Sequence, residues 1–162
     1  MTKVLLSLHV LTALIAVGPV TVAASMFPAT LRRALSGSGE GGGAGDGDAW
    51  TILRTLHRIC RVYAGIGIAV PLFGLATAGS LGVLGDGWLI TSILLTAAAA
   101  AVLTLLILPA QDRALAVATG SALPQAPPVA PGRLAMLTGV FNLLWAAVTV
   151  LMIVRPGSTT GA

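Results

Sequence analysis

An all-α integral membrane four-helix bundle is the fold class this sequence predicts, and three observations predict it. Four apolar stretches, residues 4–26, 62–84, 88–108 and 134–154, contain no Asp, Glu, Lys or Arg. About 20 apolar helical residues cross a hydrocarbon core roughly 30 Å thick, so each stretch is long enough to span. Charged residues make up 9% of the 162 and hydrophobic ones 56%, whereas soluble domains carry about 25% charge. Finally, the basic residues collect beside the apolar stretches. With a net charge of +4, that placement points to lipid head groups and away from nucleic acid. The chain reads as one transmembrane domain, 1–162.

Span 1, residues 4–26, follows Lys3 and reads as a retained first helix. It is too long for the apolar core of a signal peptide, and three further spans follow. Gly18-Pro19 interrupts it. Proline lacks a backbone donor and clashes with the carbonyl four residues back, so a kink is expected there. The next segment, 36–48 (SGSGEGGGAGDGD), is a glycine-rich linker expected to be flexible. A phosphate-cradling loop would require GxxxxGK[ST] after a strand, and neither occurs. Asp48 is placed to N-cap the following helix. Residues 50–61 are basic and part-apolar, with Arg54, Arg58 and Arg61 on one helical face. They read as a cytoplasmic extension whose arginines meet anionic head groups.

On span 2, residues 62–84, a stripe of small residues includes Gly67 and Gly74 and continues from His57 and Cys60. Small residues let helix backbones approach closely in lipid, where association relies on packing. The turn Gly85-Asp86-Gly87 leads to span 3, residues 88–108, which is expected to end at Pro109 and carries the row Ser92, Thr96, Ala100 and Thr104. A proline-rich cytoplasmic linker, 119–132, joins it to span 4, residues 134–154. There Ala135, Gly139, Asn142, Ala146, Thr149 and Met152 recur every three or four residues and form the expected packing stripe. Asn142 is a candidate interhelical hydrogen-bond partner.

Four spans put both termini on one side. With the termini outside, Arg32, Arg33, Arg54, Arg58, Arg61, Arg113 and Arg133 lie inside, and only Lys3 and Arg155 lie outside. Basic residues near span ends favour the cytoplasmic side, so the chain is expected to be N-out and C-out in the plasma membrane. His9 then sits about 7 Å below the outer end, at 1.5 Å per residue. His57 sits at the inner end, so the two histidines cannot share one ligand.

His9 is the leading site residue, because an ionisable group inside a span is costly. It shares a stripe with Thr12, Ala16, Pro19, Ala23 and Met26. Three readings stand side by side, one of them proton transfer by the ring. His9 is a neutral packing histidine, hydrogen-bonded across the bundle to a hydroxyl of Ser7, Thr12 or Thr149. Alternatively it ligates haem b or a metal, with Met152 as a second axial ligand. The sole cysteine, Cys60, excludes an intrachain disulfide and a CxxC site, and reads as a packing residue. No span contains a carboxylate, which argues against a proton-coupled exporter. No Ser/His/Asp or HExxH pattern supports hydrolysis.

The first span also carries Leu8-His9-Val10-Leu11 with Gly18 nine residues after the histidine. This resembles the LHxxxxxxWxGG opening helix of a broad bacterial group. That group includes predicted integral membrane proteins of unknown function, CopD-type copper-resistance proteins and HemJ-type protoporphyrinogen oxidases. The chain is most similar to the unknown-function members. An Arg-rich lead-in to span 2, a Trp-led span 3 and the Pro-Ala-Gln-Asp-Arg run at Pro109 to Arg113 carry the likeness. The resemblance implies a plasma-membrane helical bundle and matches His9 to a haem-ligating histidine. Ala16 replaces the motif's tryptophan, Pro19 its second glycine, and no lysine lies within a later span. The resemblance therefore implies the histidine and the fold rather than the oxidase activity.

These readings lead to a non-enzymatic membrane protein that binds haem or a metal through His9. The alternative is a structural or assembly subunit of a larger membrane complex, meeting a membrane-protein partner or its own copies through the small-residue stripes. A small-molecule permease is the third reading.

Overall fold

The computed structural model describes residues 2–37, 44–118 and 129–157. Among these there is no strand. The helices are α1 (Thr2–Gly37), α2 (Ala44–Ile66), α3 (Ala69–Leu81), α4 (Gly87–Ala101), α5 (Leu108–Ala118) and α6 (Pro131–Val154). A π-helical segment, Val102–Ile107, joins α4 to α5. These build four rods long and apolar enough to cross a bilayer: Thr2–Ser36, Gly47–Leu81, Gly87–Val117 and Pro131–Val154. In the bundle α1 packs on α2, α3 and α6, while α4 packs on α6 and α2 on α5.

Three of the rods overrun the spans expected from hydropathy. A 35-residue rod is about 52 Å long, against a core of roughly 30 Å. The excess lies at the loop end, where the chain turns helical but charged. Hydropathy marks the part that fits lipid; backbone hydrogen bonding carries the helix further. Residues 44–48 of the expected glycine linker are thus helical, and Asp48 is inside α2 instead of capping it. Residues 38–43 and 119–128 of the two linkers lie outside the described residues.

Prolines redistribute the breaks. Helix α1 is continuous through Pro19 and Pro28. The second rod is interrupted instead, at Gly67-Ile68, between α2 and α3. Pro71 has no N–H for the carbonyl of Gly67, which accepts from Val70 N at 3.1 Å. A Cβ on residue 67 would lie 3.2 Å from the Tyr63 and Ala64 carbonyl oxygens, so this turn favours glycine. Pro109 does not end span 3 as expected. The preceding turn widens to the π register, with Leu108 N–H bonded to Leu103 O, and the helix continues to Ala118. A π turn is a known accommodation of a residue that cannot keep the i−4 ladder.

The main core sits toward the loop end. It is built from Val20, Phe27 and Leu31 of α1, Leu53 and Leu56 of α2, Ile107, and Leu134 and Phe141 of α6. A smaller cluster, Ala78, Trp88 and Leu89, closes the end that carries the termini. The outward faces are apolar: Leu14 is 69% exposed, Leu105 70%, Leu143 72% and Ile153 76%. Such a continuous apolar exterior is not compatible with water; it fits lipid, and the chain is a multi-pass membrane protein by this criterion.

The packing faces differ in register from those expected. On α6 the buried residues are Leu134, Thr138, Phe141 and Val148, whereas Ala135, Gly139, Ala146 and Thr149 are exposed. Leucine, phenylalanine and valine take the inward face together with Thr138, and the small residues turn outward. On α1 the stripe leaves Met26, which is 50% exposed, for Phe27, which is fully buried.

Candidate functional site

The His9 region is built by α1, α3, α4 and α6 at the terminal end. The ring Nδ1 lies 3.0 Å from the carbonyl oxygen of Val70. A carbonyl only accepts, so Nδ1 carries the proton and Nε2 keeps its lone pair. Gly74, one turn beyond Val70, makes this possible. A Cβ at residue 74 would lie 2.9 Å from His9 Cε1 and 3.1 Å from Nδ1. The missing side chain opens the helix surface to the imidazole. Nε2 has no hydrogen bond among the described residues.

The expected hydroxyl partners are not used. Ser7 donates to Lys3 O, Thr12 to Leu8 O and Thr149 to Trp145 O, each at 2.7 to 2.9 Å. Hydroxyls within helices commonly satisfy themselves on the carbonyl four residues back.

His9 and Met152 line one small cavity, of about 40 Å³, together with Gly74 and Trp88. Trp88 is fixed by donating Nε1–H to Asp86 Oδ2 at 2.9 Å. The Arg155 guanidinium lies 5.6 Å from its ring centroid, within cation–π range. A water molecule occupies about 30 Å³ of liquid, and drug-sized ligand pockets run to about 300–1,000 Å³. The cavity therefore matches one water or one bare ion and does not hold a porphyrin. Among the described residues no three His, Cys, Asp or Glu side chains gather as a metal cluster. His9 and Met152 bring one imidazole nitrogen and one thioether sulfur to the cavity, and Thr77 and Arg155 also line it, the latter adding a positive charge.

A second polar cluster, at the loop end, was not legible from the sequence. His57 is buried on α2, with Nδ1 3.0 Å from Gln111 Oε1. Its Nε2 lies 3.0 Å from Asp112 Oδ1, a close approach without hydrogen-bond alignment. Gln111 is fully buried and its amide reaches Cys60 Sγ at 3.7 Å. Asp112 also faces Arg61 at 3.7 Å. These residues tie α2 to α5. His57 and Gln111 are 54 positions apart, and only the fold brings them together. The sequence signal was the lone Gln-Asp pair on an apolar helix.

The remaining expected residues are scattered. Asn142 donates Nδ2–H to Ser25 Oγ at 3.1 Å, joining α6 to α1, while its Oδ1 is buried without a partner. Gly67 forms the α2–α3 break. Arg54, Arg58 and Arg61 are exposed opposite the buried face of Leu53, Leu56, His57 and Cys60. Comparison with protein-family models, curated proteins and solved structures finds no match.

Proposed function

We propose that this chain is a non-enzymatic membrane protein that holds a metal centre through His9 at the end of the bundle carrying the termini. One observation carries the reading: His9 donates Nδ1–H to the Val70 carbonyl, and its Nε2 is without a partner among the described residues. Metal-ligating histidines characteristically donate their other N–H to a carbonyl or carboxylate, which sets tautomer and ring orientation. Met152 on the same cavity supplies a thioether, and an imidazole–thioether pair is a soft donor set of the kind copper(I) or haem iron accepts. The cavity volume favours the bare ion. Arginine placement supports N-out and C-out in a plasma membrane, which sets His9 near the external face.

The test is metal analysis and an absorption spectrum, oxidised and dithionite-reduced, of the detergent-purified protein beside His9→Ala. Stoichiometric copper lost in His9→Ala supports the ion. A Soret band lost in His9→Ala supports haem and requires the helices to part. Metal-free, colourless protein after growth with copper and haem overturns both.

The structural or assembly reading has its own support. The His9 ring is seated against Gly74, as a packing residue joining two helices would be. On that reading His9→Ala lowers stability or recovery of a complex without any change in metal content.

A further inference from the structure

We infer that the cleft between α5 and the start of α6 is a binding site for one anionic phospholipid, drawn from the membrane the chain spans. The cleft encloses about 150 Å³ and carries two guanidiniums, Arg113 and Arg133, over an apolar wall that includes Leu106, Leu134 and Leu137. Arg113 is the better fixed of the two. Its Nε–H donates to Pro109 O at 3.1 Å, which leaves both terminal amino groups for a ligand. Neither arginine is in an ion pair among the described residues, where the acidic contacts belong to His57 and Arg61.

Depth selects the occupant. Arg133 precedes the end of α6 at Val154 by 21 residues, about 31 Å of helix. Arg113 follows Trp88 by 25 residues, about 37 Å. Measured from the terminal end, both guanidiniums lie just past a hydrocarbon core roughly 30 Å thick. Leu137 lies about one turn nearer the core than Arg133 and Leu106 about two turns nearer than Arg113, while Leu134 adjoins Arg133. That order, charge at the interface and apolar wall toward the bilayer, complements a phosphodiester head group with its acyl chain. Guanidinium geometry binds phosphate oxygens in pairs, and basic clefts between spans on the arginine-rich side are lipid sites in kind. The inference is independent of the role given to His9.

The experiment is titration of the full chain, purified in neutral detergent, with dioleoylphosphatidylglycerol and with dioleoylphosphatidylcholine. Bound lipid is read by native mass spectrometry and by thermal shift. The expected result is retention of phosphatidylglycerol over phosphatidylcholine and weakening by about thirtyfold in R113Q/R133Q, or about 2 kcal/mol for two guanidiniums. Leu137→Trp, which keeps both charges but fills the cleft, should also weaken binding, while K3Q, which removes an exposed charge at the opposite end of the bundle, should leave it unchanged. Leu137→Trp carries the test if the arginine double variant does not fold. Equal binding of the two lipids, unchanged binding in R113Q/R133Q or Leu137→Trp, or equal weakening in K3Q overturns the proposal. Displacement of the lipid by excess inorganic phosphate also overturns it, because the site would then be one for a free anion.

Discussion

At the scale of single residues, the contact between His9 and Gly74 is the sharpest feature of the molecule. A methyl group at residue 74 would press on His9 Cε1 at 2.9 Å, and the imidazole is held from behind by the Val70 carbonyl. Gly74→Ala should therefore destabilise the protein by about 1–3 kcal/mol, the cost of overpacking. His9→Ala in the same chain should restore most of that loss. A double-mutant cycle of thermal unfolding in detergent measures it, and additive effects would show that the two residues do not press on each other. The loop-end cluster predicts a second cost. Gln111→Leu leaves His57 Nδ1, which now faces the amide oxygen at 3.0 Å, buried without its acceptor. A loss of about 1–3 kcal/mol is expected, read as a lower melting temperature.

At the scale of helices, register is the quantity that counts. Phe27 is fully buried and Met26 is half exposed, although spacing alone put Met26 on the inward stripe. Phe27→Ala should cost about 3–5 kcal/mol through the cavity it leaves, while Met26→Ala should stay within about 0.5 kcal/mol. Comparable losses at both positions would mean that α1 is rotated from the register described. Small-residue stripes point to faces that can pack closely. On α6 the inward face is held by Phe141 and Trp145, whose rings meet edge-on at 6.4 Å. Close packing through Gly139 would require a neighbour on the lipid side, not within the bundle.

At the scale of the whole molecule, three rods are longer than a hydrocarbon core is thick, and the main core runs from mid-span residues such as Val20, Ala99 and Phe141 to Leu31, Leu53 and Ala114 near the loop end. Lipid offers apolar side chains the same environment as a partner helix does, so the hydrophobic effect drives association chiefly where water is present. The arginines of α1, α2 and α5 occupy the same end, which the proposed N-out, C-out topology would put in the cytoplasm. In a Cys60→Ala background, Arg58→Cys should react with a membrane-impermeant maleimide only after lysis, and Gly85→Cys should react in intact cells. The reverse pattern would invert the topology.

Four long apolar segments, their order and the concentration of arginine at one end were determined by the sequence itself. They follow from local composition, since crossing lipid needs only length and apolarity along consecutive residues. His9 was likewise legible as the one histidine within a span. Its true partner was not, because a backbone carbonyl has no signature in the sequence, and the opening at Gly74 has meaning only once α1 lies against α3. The link from His57 to Gln111 and Asp112, the convergence of Arg113 and Arg133 on one cleft, and the registers of α1 and α6 were decided by tertiary structure alone. Each depends on how rods distant along the chain are rotated about their own axes, and in lipid that rotation is set by the fit of side chains between helices, to which hydropathy is blind.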